Sequence, residues 1–510
     1  MGTGFRASMD WLHTWAGVVL GGLLFAIFWM GTLSVFDREI DRWMAPMTRL
    51  ATTGEVAAVE ALRPSYEAAA AAKATSWFAQ LPTERAPVLQ VTWREGTRQL
   101  VRLFDPVTGA ALPDPGTWAG TGFLYPFHYM LHVRLGYWIV GVAGMAMLLL
   151  CVSGVVIHRK IFTDFFTFRA DKQPRRLVLD LHNVTGVLGL PFHFMITLSG
   201  VIIFFGVYFP GTIQFAYGDE VRAFAREAYG NYDRPRLGRP GALASLDAIT
   251  TEASRLWDAE TPRYLFVRQP GDAAAVVQVA RHGEDRVAGR SDIAYFDATT
   301  GALLHQRIAP QSVLSAQRFI AGLHLIQFRH WTLRWVYFVL GLAGCALIAT
   351  GYLFWLESRK KKDGRLGSRG VRLVEALTVG SVSGILVATL AFFVANRLLP
   401  LGAVFLGEDR ASLEMWAFYL VWLASFTHAA LRPHRAWIEQ CGAIAVLALA
   451  AVLLNWMTTG DHPGQSLGQP HLWSVAGMDI LLLAGAATAA WAAFALGRRR
   501  AHATSLSLAR

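Results

Sequence analysis

Eight stretches of this chain stay apolar for about 20 residues or more, the length a helix needs to cross the hydrocarbon core of a bilayer. They fall at roughly 10–36, 133–157, 178–209, 331–356, 373–399, 412–430, 436–457 and 473–496. Few folds are open to such a chain, because lipid offers no partner to an unpaired backbone amide or carbonyl, and only helices and closed barrels satisfy all of theirs internally. Runs this long are helical rather than barrel-like, so the fold class is a mainly α membrane protein with eight predicted transmembrane helices. The composition agrees: 54% of the residues are hydrophobic and 16% charged. The first run is too long for a removed signal peptide and lacks a small-residue cleavage site, so it is expected to remain as an anchor.

Charge orients the spans. Arg159, Lys160, Arg169, Lys172, Arg175 and Arg176 crowd the loop 159–176, and Arg359, Lys360, Lys361, Lys362, Arg365, Arg369 and Arg372 the loop at 357–372. Arg432 and Arg435, and then Arg498, Arg499 and Arg500, fall on the same side if the spans alternate. The positive-inside rule makes that side cytoplasmic and places both termini there. These loops and anionic lipid account for the net charge of +11, so it gives no argument for nucleic acid. Cys151, Cys345 and Cys441 all lie within predicted spans and read as small packing residues. No Cys-x-x-Cys-His is present, which excludes c-type haem attachment.

The third span carries ionisable groups. Leu179 to Gly200 contains His182 and His193, and intramembrane histidines are functional candidates by default. Eleven residues separate them, about 16 Å of helix rise and close to a whole number of turns, so both imidazoles share a face. The stretch also repeats the first span. Leu12-His13-Thr14-Trp15-Ala16-Gly17-Val18 matches Leu181-His182-Asn183-Val184-Thr185-Gly186-Val187, and Gly31 and Gly200 stand at the same distance beyond their histidines. These glycines are expected to let helices or a planar group approach closely, or to be ordinary small-residue packing.

The duplication extends through the loops. Residues 37–126 hold a helix-like region (55–73), strand-like Val88–Trp93 and Gln99–Phe104, and a turn from Asp105 to Ala110. Residues 210–318 repeat that order: a helix-like piece at 243–259, strand-like Arg263–Gln269 and Ala275–Ala280, then a turn from Asp297 to Ala302. The second span (127–158) is entered through His128 and His132 and leaves through Ser153-Gly154 and His158. The fourth (319–356) is entered through Leu323-His324 and leaves through Thr350-Gly351. The third occupies 177–209. The first 360 residues thus read as span, small α/β domain, span, twice over, a parallel repeat expected to face its copy across a pseudo-twofold axis along the membrane normal. Residues 373–510 form a C-terminal membrane unit of four spans. Glu375, Asn396, Arg397, Glu414, His428, His434 and Asp479 lie near its span ends and read mostly as interfacial groups.

The paired strand–Asp-x-x-Thr-Gly signatures, Ser153-Gly154 followed by His158-Arg159-Lys160-Ile161-Phe162-Thr163-Asp164-Phe165-Phe166-Thr167-Phe168, Asp180-Leu181-His182-Asn183, Leu190-Pro191-Phe192-His193-Phe194 and Leu323-His324 resemble the PepSY-associated transmembrane family of bacteria, often called iron-regulated membrane proteins. The resemblance covers residues 10–360 and does not explain the last four spans. It implies a duplicated four-helix core with two periplasmic PepSY-like domains, an inner-membrane location, two b-type haems and reduction of a ferric siderophore. Fused flavin or nicotinamide domains found in some members are missing: no Rossmann glycine fingerprint is present.

A b-type haem in a bundle takes two axial ligands from facing helices at one depth. His13, His158 and His182 lie near the cytoplasmic face, His128, His132 and His324 near the opposite face, and His193 between. Pseudo-symmetry favours His13 with His182 and His132 with His324 as the pairs holding haem iron. His158, His193 and His128 are the alternative ligands. Arg134, Arg329 and Arg334 are expected at the periplasmic mouth, as propionate partners or snorkelling anchors. The expected activity is electron transfer from a cytoplasmic or membrane donor to a periplasmic acceptor, with ferric siderophore as the favoured substrate. Reduction weakens a hard-oxygen cage's hold on iron. Two other functions fit the same features: a non-enzymatic PepSY-type binding or regulatory protein, and an iron or siderophore transporter. The last four spans are expected to lack the Gly/Pro-broken pairs and buried carboxylates that mark many transport sites, which counts against transport.

Overall fold

The computed structural model describes residues 3–51, 59–96, 98–158, 174–218, 220, 223–224, 226–227, 231–281, 283–284, 286–288, 292–307, 312–362, 369–433 and 435–508. Most of the first basic loop and His434 lie outside the described residues. In chain order the main elements are α1 (Thr3–Ser34), α2 (Asp37–Met44), α3 (Arg63–Ala71), β1 (Ser76–Gln80), β2 (Leu89–Glu95), β3 (Arg98–Phe104), α4 (Tyr125–Met130), α5 (Gly136–Ile157), α6 (Pro174–Ile203) and α7 (Leu246–Arg255). They continue with β4 (Pro262–Arg268), β5 (Val276–Arg281), β6 (Ile293–Asp297), β7 (Leu303–Arg307), α8 (Ser312–Leu325), α9 (Trp331–Lys362), α10 (Arg369–Leu398), α11 (Arg410–Leu431), α12 (Ala436–Thr459) and α13 (Trp473–Leu508).

Two compact units result. One is built from residues 47–115 and 202–331 and contains every strand of a seven-stranded antiparallel sheet, ordered β3-β2-β1-β4-β5-β6-β7. The two loop regions, expected as separate α/β domains, share this sheet. They join where β1 pairs with β4, in a register running from Ser76 opposite Arg268 to Gln80 opposite Tyr264. Period-two alternation sends Trp77, Ala79, Leu89, Val91, Leu265, Val267, Val277 and Val279 to one face, where Tyr66 and Ala69 of α3 and Leu246 and Ile249 of α7 cover them. The two Asp turns have matching geometry. Asp105 Oδ1 accepts from Val107 N at 2.7 Å and Thr108 N at 3.0 Å, and Asp297 Oδ1 from Thr299 N at 2.8 Å and Thr300 N at 3.0 Å. Each turn closes on a glycine in the left-handed region, Gly109 at φ +70° and Gly301 at φ +73°. Burial alone would raise the Asp297 carboxyl, but the hydrogen bonds from Thr299 and Arg234 hold it well below the usual carboxylate range.

The other unit holds the long helices. Among the described residues seven are long and apolar enough to cross a membrane: α1, α5, α6, α9, α10, α12 and the helix over Pro470–His502. The expected span at 412–430 is a helix, α11, and is not in that set. The C-terminal helices are integral to this unit. Trp29 of α1 donates to Thr389 of α10 at 3.0 Å, and Trp43 of α2 donates to Asp479 of α13 at 2.8 Å. Phe25, Met30 and Trp43 share one core with Phe392, Phe418 and Val475.

Several groups expected at interfaces are buried instead. Asn396, Glu414 and Asp479 have exposures of 1%, 0% and 0%. The reason is local pairing: Asn396 Nδ2 donates to Glu414 Oε1 at 2.9 Å, Thr117 donates to Glu414 Oε2, and Asn455 Nδ2 lies 3.3 Å from Asp479 Oδ2. The last four helices therefore do contain buried carboxylates. Asp41 of α2 accepts from Gly120 N and from Thr121 N and Oγ1, and burial outweighs those bonds and pushes its carboxyl up to about 7.

Arg334 is neither a free anchor nor a propionate partner. It is fully buried, 2.9 Å from Glu39 Oε2, donates to Val35 O at 2.9 Å, and stacks 4.8 Å from the Phe36 ring centroid. Removing one partner of a buried ion pair strands the other charge, at a cost of about 3–5 kcal/mol. Glu39→Ala is expected to lower the detergent-solubilised protein's unfolding midpoint by a shift of that size. Glu408→Ala, at an exposed position, should leave it unchanged.

Candidate functional site

His13 and His182 meet in the helical unit. Their ring centroids are 6.4 Å apart and their planes 83° from parallel. Each ring is seated the same way, on a hydroxyl–glycine pair of the next helix in its half of the chain. His13 on α1 faces Ser153-Gly154 of α5, and a Cβ on Gly154 would lie 3.3 Å from His13 Cε1. His182 on α6 faces Thr350-Gly351 of α9, and a Cβ on Gly351 would lie 3.2 Å from His182 Cε1.

Hydrogen bonding fixes both tautomers. His182 Nδ1 lies 2.9 Å from Leu347 O, and a carbonyl only accepts, so the proton is on Nδ1. His13 Nδ1 lies 3.0 Å from Ser153 Oγ. The Ser153 hydroxyl is already directed at Leu149 O at 2.7 Å, so His13 Nδ1 is again the donor. Both Nε2 atoms are left with bare lone pairs, the state of an imidazole ready to ligate a metal, with the orienting partner on its other nitrogen. Ser153 and Thr350 are the residues the sequence reading did not single out for this role. Their signal was present as the Ser-Gly and Thr-Gly that end the second and fourth spans.

The other candidate histidines are disposed differently. His132 does not sit on the helix leading into α5. Leu131 (φ +53°) and His132 (φ +50°) break the chain between α4 and α5. The His132 ring stacks 5.1 Å from Phe123 and donates Nε2–H to Phe123 O at 2.9 Å. His324 lies in the last turn of α8, in the sheet-containing unit, whereas His132 is in the helical unit. His128 is held by Ile27 O at 2.8 Å from Nδ1, and its ring occupies the space that a side chain on Gly31 would need, 2.6 Å from that Cβ position. His193 is fully buried. Its Nε2 is 3.3 Å from Leu340 O, its Nδ1 has no hydrogen-bond partner, and Gly189 and Gly344 make room for the ring. His158 caps the C-terminus of α5 with a buried Nδ1 that has no hydrogen-bond partner among the described residues. Among the described residues no three His, Cys, Asp or Glu side chains are grouped to hold a bare metal ion; an axial pair needs only two.

Residues 11–358 match the model of the PepSY-associated TM region. The chain belongs to the PepSY-associated TM region family. A protein of Pseudomonas aeruginosa described as uncharacterized is 28% identical over 345 residues, an alignment covering 64% of this chain and 84% of its own length. The PepSY-associated region includes all seven candidate histidines and stops short of α10.

The glycines differ in how much they matter. A Cβ on Gly17 would meet only Leu150 at 4.0 Å, whereas on Gly31 it would overlap the His128 ring. Overpacking costs about 1–3 kcal/mol. Gly31→Ala is therefore expected to destabilise the protein by that amount in a thermal melt in detergent. Gly17→Ala should be neutral or stabilising by up to about 1 kcal/mol, through helix propensity.

Proposed function

We propose that this chain is a haem-b electron-transfer protein of the bacterial inner membrane. It carries electrons from the basic-loop side to an acceptor on the other face, where ferric siderophore is reduced and its iron released. The observation that carries the reading is the His13–His182 pair. His13 and His182 would hold the haem iron: their rings lie 6.4 Å apart, and each spends Nδ1 rather than Nε2 on its hydrogen bond. Haem supplies the one-electron ferric–ferrous exchange. The chain's residues hold the imidazoles in one tautomer through Ser153 and Leu347, raise their basicity by accepting from Nδ1–H, and leave room beside each ring with Gly154 and Gly351.

The reading includes a tandem duplication. Its support is the paired Asp turns, the paired hydroxyl–glycine seats, and the breaks at positive φ after α4 and at Ile326 after α8. It also includes eight spans, with α11 as the sixth, and cytoplasmic termini by the distribution of Arg and Lys. Two haems per chain are the expected content. For the second, His132 and His324 are the candidate pair, with His128 as the alternative.

Purified protein from haem-replete cells is expected to show a reducible b-type spectrum. His13→Ala and His182→Ala should each remove one haem and the reduction of a ferric siderophore, followed with a colour-forming Fe²⁺ chelator. Ser153→Ala and Thr350→Val should weaken haem retention by about 10–100-fold. Protein without haem from such cells would overturn the reading in favour of a non-enzymatic PepSY-type binding protein.

A further inference from the structure

The helices that carry His13 and His182 are joined through a third. His182 bonds Leu347 O of α9, and its Thr350-Gly351 seat belongs to the same helix. α9 in turn packs on α1, the helix of His13, in an antiparallel register. Gly341 makes room for Thr32 and Gly344 for Phe28, and nearer the basic loop Gly21 of α1 makes room for Tyr352 of α9. Tyr352 directly follows the His182 seat. It is 5% exposed, its Cε2 lies 2.9 Å from the Cβ position of Gly21, and its hydroxyl donates to Val18 O at 3.1 Å. Val18 lies little more than one helical turn beyond His13.

Two observations set Tyr352 apart from ordinary packing. Adjacent glycines are spent on one contact. A Cβ on Gly21 would overlap the Tyr352 ring, and a Cβ on Gly22 would lie 2.5 Å from Ser381 Oγ of α10 and 3.5 Å from the Tyr352 hydroxyl. Glycine is a poor helix former, so two in succession mark a place where three helices have to close on each other. The contact is also not repeated in the other half of the histidine motif. Val155 follows Ser153-Gly154 as Tyr352 follows Thr350-Gly351, yet Val155 is 44% exposed, and Leu190 and Pro191 stand where α1 has Gly21 and Gly22. A residue that served only to pack the repeated helices would be needed in both places.

We infer that Tyr352 is a positioning residue for the His13–His182 pair: wedged between α1 and α9, it sets the distance and angle at which the two imidazoles face each other. The inference rests on the proposed function. The rings are crossed at 83°, and the path that relates them runs from His182 to Leu347 O, along α9 to Tyr352, across to Val18 O and along α1 to His13. Close-packed interiors transmit small displacements, so a spacer at the joint between two helices governs what each of them carries. Ser381 backs the same notch from α10, which gives a helix beyond the PepSY-associated match a part in the site. The angle between two axial imidazoles is measurable. Crossed rings give ferric haem a highly anisotropic low-spin electron paramagnetic resonance signal, and parallel rings a rhombic one.

The test uses the full-length protein purified from haem-replete cells and oxidised. The crossed-ring signal is expected, and its loss in His13→Ala and in His182→Ala assigns it to the pair. Tyr352→Ala should move that signal toward the rhombic form, shift the midpoint potential of the same haem and weaken haem retention about 10-fold or more. Tyr352→Leu fills part of the notch, so it keeps the test open if the alanine variant does not fold, and it should move the signal in the same direction. Tyr352→Phe keeps the ring and is expected to restore the wild-type signal. Val155→Ala, at the matching position on α5, should leave the signal unchanged. A parallel-ring signal from the wild-type pair, or a crossed-ring signal unmoved by both Tyr352→Ala and Tyr352→Leu, would overturn the inference and leave the haem-b reading standing. Wild-type protein without haem would sink that reading and the inference with it.

Discussion

Hydrocarbon cannot hydrogen-bond, and the helical unit is arranged around that fact. Every polar side chain drawn into the spans has to find its partner inside the protein or leave an orphan that weakens the fold. The structure meets this demand with long-range pairs. Arg334 finds Glu39, Trp43 finds Asp479, Gln440 finds Ser383, and Glu414 is shared by Asn396 and Thr117. The same demand settles the histidines. An imidazole carries one donor and one acceptor nitrogen, so a carbonyl or a committed hydroxyl opposite Nδ1 decides which lone pair remains. For His13 and His182 it leaves Nε2.

The same seat occurs twice. α1 and α6 each contribute a histidine, α5 and α9 each a hydroxyl–glycine pair, and the sheet carries two Asp turns, each closed by a glycine at positive φ. In the sheet β1 and β4 pair with each other, so neither is left as an exposed edge.

Much of this was legible in the chain. Apolar length gave seven of the eight expected spans, the strand-like runs gave β2 to β5, the Asp-to-Gly spacing gave the turns, and the Leu-His repeat drew attention to His13 and His182, whose rings meet. What was not legible depends on partners distant in sequence or on backbone without a signal. Ser76–Gln80 has a mixed pattern and becomes central only because β4 pairs with it. His132 reads as helical, yet Leu131 and His132 both adopt positive φ with neither a glycine nor a proline at the break, and the ring turns onto Phe123. Arg334, Glu414 and Asp479 look interfacial by position. Their burial follows from Glu39, Thr117 and Trp43, residues hundreds of positions away.

The C-terminal helices meet the first span at α10. Gly380 lies against the Phe426 ring and accepts from Trp422 through its carbonyl, Thr389 binds Trp29, and Ser383 binds Gln440. The polar side chains of α10 thus bond α1 in one direction and α12 in another. Small residues set that geometry: Gly380, Ser381, Ser383 and Gly384 let neighbours close to van der Waals distance, as membrane interfaces require where no hydrophobic force distinguishes protein from lipid. Loss of the close approach of Ser381 to Gly22 would loosen the helix that carries His13 without touching the ring.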